Sequence, residues 1–144
     1  MRRALELAER AAAAGDVPVG ALVVTDAGEV LGEGWNEREV LGDPSAHAEV
    51  VAIRAAAAAL RSWRLEGCTL VVTMEPCPMC AGAAMLARID RVVLGAWDPK
   101  LGACGSVWDV LRDRRATHRA EVVGGVLEQE CGAVVRRFFE AHRA

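Results

Sequence analysis

Cys77 and Cys80, three residues apart in TMEPCPMCAG, are the side chains of this 144-residue sequence best suited to chemistry. Pro76 and Pro78 bracket Cys77, and a helix tolerates proline only in its first turn. The pair is therefore expected at a helix N-terminus, with both sulfurs on one face. There the helix dipole and unpaired N–H groups favour thiolate over thiol, which a nucleophile and a metal ligand both need. The Cys-x-x-Cys spacing alone fits a redox disulfide, half of a structural zinc site or half of a catalytic one.

Thirty residues upstream, SAHAEV puts His47 at the start of a second expected helix and Glu49 two residues later. Positions i and i+2 of a helix do not face the same way, so His47 suits a metal ligand and Glu49 a base flanking the metal. His47, Cys77 and Cys80 make three protein ligands for one Zn²⁺, leaving the fourth tetrahedral position to water, as catalytic zinc sites do. Zinc lowers the pKa of bound water to roughly 7, and Glu49 can take that proton and deliver it to a substrate. A structural zinc would need a fourth ligand from Cys68, Cys104, Cys131 or His118. A thioredoxin-like pair would leave His47 and Glu49 without purpose. The other three cysteines are expected to be small buried hydrophobes, and His118 and His142 to lie at the surface.

The elements that must hold these groups alternate along the chain. Helical spacing runs over residues 2–14 and stops at Gly15, Asp16 and Pro18. Apolar runs at 19–25 and 30–35, joined by DAGE, predict a β-hairpin. The polar stretch NEREVLGDPS leads to a long helix over about 47–63, its start marked by Asp43, Pro44 and Ser45. A strand at 69–73, a helix from 77 to about 87 and a strand at 91–96 follow. Next come the glycine-punctuated loop DPKLGACGS, a short helical piece near 107–111, a strand around 121–124 and a last helix over about 128–142. This order predicts one domain, a three-layer α/β/α sandwich with a five-stranded mixed sheet.

Composition narrows the setting. The hydrophobic fraction of 53% is inflated by 27 alanines, and charged residues interrupt every long apolar stretch, so no membrane span is expected. The first residues, MRRALELAERAAAAG, form an amphipathic helix and not a signal peptide, which together with the odd cysteine count implies the cytoplasm. A net charge of −3 gives no global footprint for nucleic acid, although 16 of 17 basic residues are arginine. The segment RDRRATHR, with Arg112, Arg114, Arg115 and Arg119, is a local cationic patch able to meet phosphate.

The pattern H-x-E … P-C-x-x-C matches the signature of zinc-dependent nucleobase deaminases. The sequence resembles the cytidine/deoxycytidylate deaminase superfamily and, within it, the bacterial tRNA-specific adenosine deaminases. The likeness runs through DVPVGALVV, GEGWN, DPSAHAEV, WRLEGCTLVVTMEPCPMCAGA, ARIDRVVLGAWDPKLGACGS and HRAEVVGGVLEQECG to the closing Phe138–Phe139, covering nearly the whole chain. It implies a cytidine deaminase-like fold and one zinc per subunit, held by His47, Cys77 and Cys80. Glu49 would shuttle protons while adenosine becomes inosine at the wobble position of a tRNA anticodon. It also implies that Asn36 hydrogen-bonds the target nucleotide, that the backbone around Ala48 meets the base edge, and that Val19 and Pro76 line or shape the pocket. Arg136 and Arg137 would contact RNA, and the protein would be a homodimer, with the alanine-rich helix after Cys77 as an interface element. An amphipathic last helix would instead bury Phe138 and Phe139. Deamination of free guanine or cytosine, or of a nucleoside, is the alternative; a non-catalytic zinc-containing RNA-binding module leaves Glu49 unexplained.

Overall fold

The structure, a computed structural model, describes residues 1–143. Its elements are α1 (Arg2–Ala13), β1 (Gly20–Thr25), β2 (Val30–Trp35), α2 (Arg38–Leu41), α3 (Ala48–Leu60), β3 (Cys68–Met74), α4 (Pro78–Leu86), β4 (Arg91–Ala96), β5 (Glu121–Val123) and α5 (Glu128–Ala141). The strands form one sheet in the order β2-β1-β3-β4-β5. β1 pairs antiparallel with β2 and β3, whereas β3–β4 and β4–β5 are parallel. The sheet is thus mixed and five-stranded, as expected.

Alternation along the strands sorts the helices into two layers. Leu22 and Val71 face α1 with Ala4 and Leu7, and Gly95 meets Cys131 of α5 on the same side. Ala21, Val23, Leu70, Val72, Val92 and Leu94 turn the other way, onto Ala48, Ala52 and Ala56 of α3 and Ala81 and Ala84 of α4. Small residues let α3 lie almost on the strand. A Cβ at Gly32 or Gly34 of β2 would collide with the backbone of Ala52, Ala56 or Ala48. The alanines that inflate the hydrophobic fraction are therefore the other half of a close glycine–alanine interface.

Three local expectations change. Residues 107–111 are not helical: Cys104 and Asp109 form an isolated β-bridge, and Val110 N–H donates to Ala103 C=O at 2.9 Å, so this backbone bonds across the loop. The polar stretch before α3 contains a short helix, α2, anchored from outside by the buried Asp16, whose carboxylate accepts Glu39 N–H at 2.9 Å. Asp43 and Ser45 do not cap α3. Asp43 accepts Ser45 N–H at 2.8 Å to form the turn before it, and His47 itself is the N-cap residue.

Candidate functional site

Both candidate ligand segments sit where a strand or loop hands over to a helix. His47 precedes α3 with extended backbone (φ −73°, ψ 149°), and Cys77 precedes α4 likewise (φ −72°, ψ 174°), with Pro78 in the first turn. Cys80 is buried one turn further on. The two helix starts converge so that the ligand atoms of His47, Cys77 and Cys80 all lie within 4.8 Å of one another. His47 Nδ1 is 3.5 Å from Cys80 Sγ and 3.7 Å from Cys77 Sγ. Among the described residues no fourth His, Cys, Asp or Glu joins the cluster. Cys68, Cys104 and Cys131 are buried elsewhere, and His118 is half-buried with Nε2 2.7 Å from Ile89 O.

The electrostatics suit a soft divalent cation. The Cys80 thiol, hydrogen-bonded to the Cys77 sulfur, and then the His47 imidazole hold Cys77 down at about 4. Reciprocally, contact with Cys77 and burial push Cys80 up, and the Cys77 sulfur raises His47. Two sulfurs and one imidazole nitrogen around a common point, with one thiolate already favoured, are a donor set of the kind zinc takes in tetrahedral sites.

Glu49 lies in the first turn of α3, 4% exposed. Burial raises its carboxyl to about 7, and its Oε2 is a buried polar atom with no hydrogen-bond partner. It opens into a pocket of about 150 Å³ whose wall also includes His47, Cys77, Val19 and Asn36. That volume is below the roughly 300–1,000 Å³ of sites that swallow whole drug-sized ligands, so it suits a single nucleobase-sized group with the rest of the ligand outside.

The other expected site residues are placed unevenly. Asn36 is buried at the pocket wall, but its side chain is largely committed: Oδ1 accepts Ala48 N–H at 3.0 Å and Nδ2 donates to Val17 C=O at 3.0 Å. One Nδ2 hydrogen is left for a ligand. Ala48 is fully buried with its N–H spent on Asn36, away from the pocket wall. Pro76 is also buried, and its carbonyl accepts Ala103 N–H at 2.8 Å, so it acts on the pocket through the loop that follows β4. Arg112 is engaged by Asp109 at 3.0 Å, Arg115 by Asp113 at 2.7 Å and Arg137 by Glu9 at 2.8 Å. Arg114 and Arg119 are exposed. Arg136 lines a groove of about 410 Å³ with Lys100, Arg143 and Phe139. Phe139 is 46% exposed, so it is not the core residue an amphipathic helix predicted; Phe138 stacks on His142, centroids 4.1 Å apart.

Six pocket residues escaped sequence reasoning: Val17, Arg38, Met74, Glu75, Asp98 and Leu101. Arg38 stands in α2, with a buried, unpartnered Nε and a terminal nitrogen 3.7 Å from Asp16. Glu75 had one available signal, an acidic residue ending the apolar run TLVVTM directly before Pro76 and Cys77.

A five-stranded mixed sheet carrying a His–Cys–Cys cluster and a buried carboxylate at two helix starts defines a zinc deaminase fold. The chain belongs to the cytidine and deoxycytidylate deaminase family, whose zinc-binding region matches residues 1–96. It is 48% identical over 143 residues to the tRNA-specific adenosine deaminase of Bacillus subtilis (strain 168), covering 99% of this chain and 88% of that protein. Its backbone is similar to that of a tRNA:A34 deaminase that performs A-to-I editing at the wobble position. There the TM-score is 0.89 and the identity 41%, over 93% of this chain and 96% of the other. It is also similar to a guanine deaminase from Nitrosomonas europaea, with TM-score 0.83 and 25% identity over 95% and 81% of the two chains. No helix among the described residues is long and apolar enough to cross a membrane.

Proposed function

We propose that this protein is a zinc-dependent hydrolytic deaminase that converts adenosine to inosine at the wobble position of a tRNA anticodon, releasing ammonia. The carrying observation is the buried Glu49 carboxyl, set beside the His47–Cys77–Cys80 cluster in a pocket the size of one base. Zinc held by His47, Cys77 and Cys80 would supply the Lewis acid that makes water nucleophilic near neutral pH. Glu49 does the proton work: its carboxylate accepts one proton from water and delivers it to the purine N1, then takes a second from the hydroxyl added at C6 and delivers it to the departing amine as ammonia leaves. Asn36 offers its remaining N–H to the base, and Val19 supplies an apolar wall.

The target base must be unstacked to bring C6 to the metal, which favours a single-stranded loop over a duplex. The groove lined by Lys100, Arg136, Arg143 and Phe139, three cations against one acid, Glu140, supports an RNA strand lying beside the pocket, cations toward phosphates and an aromatic face toward a base. Whole-chain likeness at 48% and 41% to enzymes named for tRNA outweighs the 25% likeness to a free-base enzyme. The acting form in this reading is a cytoplasmic homodimer. It is supported by α4, which leaves Leu86 63% and Met79 40% exposed on a helix otherwise rich in small residues.

The test is incubation with an anticodon stem-loop bearing adenosine at the wobble position, beside free guanine, cytosine, adenosine and cytidine, with assays for inosine and ammonia. Inosine in the stem-loop alone is expected. Ammonia from guanine alone would replace this reading with the free-base one.

A further inference from the structure

Glu75 stands between the end of β3 and Pro76, two residues before the first candidate sulfur ligand. Its side chain is buried, and among the described residues no cation pairs with it. A desolvated carboxylate without a cation is costly unless hydrogen-bond donors surround it. Among the described residues its donors come from the loop after β4: the Ser106 hydroxyl in a short bond, Ser106 N–H at 3.3 Å and Asp98 N–H at 3.4 Å. Gly102 of the same loop lies so close that a Cβ would overlap the carboxylate.

That loop also lines the pocket, through Asp98 and Leu101. Asp98 spends Oδ1 on Lys100 N–H at 3.0 Å and Leu101 N–H at 3.4 Å, and among the described residues no hydrogen bond engages its Oδ2. Beneath it, Ala103 N–H donates to Pro76 C=O. Residues 98–106 are therefore tied to the two residues that lead into α4 and the cysteines.

We infer that Glu75 is a positioning residue for substrate binding, its carboxylate fixing the loop that carries Asp98 and Leu101 to the start of the metal-bearing helix α4. Although Glu75 lines the pocket, both its oxygens are spent on this loop. The geometry demands a carboxylate: both oxygens meet donors, so glutamine would turn an NH₂ toward an N–H, and aspartate would fall one carbon short. The inference deepens the deaminase reading and, for its kinetic part, rests on it.

The experiment compares wild type with Glu75→Gln and the milder Ser106→Ala by hydrogen exchange, zinc content and steady-state kinetics on the wobble-adenosine stem-loop. In Glu75→Gln, exchange over 98–106 should rise about tenfold, as expected for loss of about 1.4 kcal/mol of local hydrogen bonding, with zinc content unchanged. KM should rise about tenfold while kcat stays within about twofold, the signature of lost uniform binding. Ser106→Ala should move both readouts in the same direction by about threefold. Unchanged exchange in both variants overturns the anchor, whatever the enzyme's substrate. Loss of zinc, or a fall in kcat at constant KM, overturns the positioning role. A wild type that makes no inosine sinks the tRNA reading, while hydrogen exchange still decides whether Glu75 holds the loop.

Discussion

Asn36 Oδ1 accepts the Ala48 N–H at 3.0 Å, tying the residue after β2 to the first residue of α3, directly between His47 and Glu49. The same side chain donates to Val17 C=O, so one buried amide sets the helix start against the pocket wall. Asn36→Ala leaves both backbone groups unsatisfied and should cost about 2–3 kcal/mol in denaturant unfolding. Zinc affinity should fall about tenfold, because His47 loses its support. A variant with wild-type stability would show that this bond does not hold α3.

Glu49→Gln keeps the shape of the side chain and removes its ability to take a proton. Zinc should remain at one per chain, while turnover on the stem-loop drops by about 10²–10⁴-fold. Unchanged turnover with zinc bound would end the proton-shuttle assignment.

Glu49 also predicts a pH effect on the zinc-free protein. Its folded carboxyl sits at about 7, above its unfolded value near about 4.3. The folded chain therefore holds a proton that the unfolded chain releases between those values. Stability is highest below the unfolded pKa and falls as pH rises through 7, by on the order of 3 kcal/mol. Urea titrations at pH 5 and pH 8 should show a larger loss for wild type than for Glu49→Gln. Equal losses would mean that Glu49 does not titrate in this window.

Removing zinc should expose one reactive thiol. Cys77, held at about 4, is thiolate at pH 6, whereas burial keeps Cys104 and Cys131 up at about 12 and 11. Iodoacetamide at pH 6 followed by peptide mass mapping should modify Cys77 first in the chelated protein, with zinc protecting it. Uniform labelling of all five cysteines would contradict the thiolate assignment.

Glycines at the α3–β2 contact should tolerate nothing larger. Gly34→Ala drives a methyl group into the Ala48 carbonyl, costing about 2 kcal/mol or more and loosening the turn that carries His47 and Glu49. Gly82→Ala, inside α4 with nothing within 4 Å of the added carbon, should raise helix stability by about 0.5–1 kcal/mol. Thermal unfolding of the two variants should move in opposite directions.

The convergence of His47, Cys77 and Cys80 beside Glu49 was legible because its signals are local. Proline around Cys77 dictates a helix start within one turn, and His47 with Glu49 marks another through spacing and residue type alone. Hydrophobic runs likewise located all five strands, since a sheet covered by helices on both faces buries its central strands almost continuously, as in β1 and β3. The tertiary structure decided what long-range contacts control. Residues 107–111 lost their helix to bonds across the loop, α2 depends on a buried Asp16 more than twenty residues away, and Phe139 faces a groove although its helix is amphipathic. Glu75 and Asp98 became pocket residues only because hydrogen bonds span 31 and 23 positions. Donor chemistry follows from residue type, but which backbone N–H a carboxylate meets follows from where the whole chain folds.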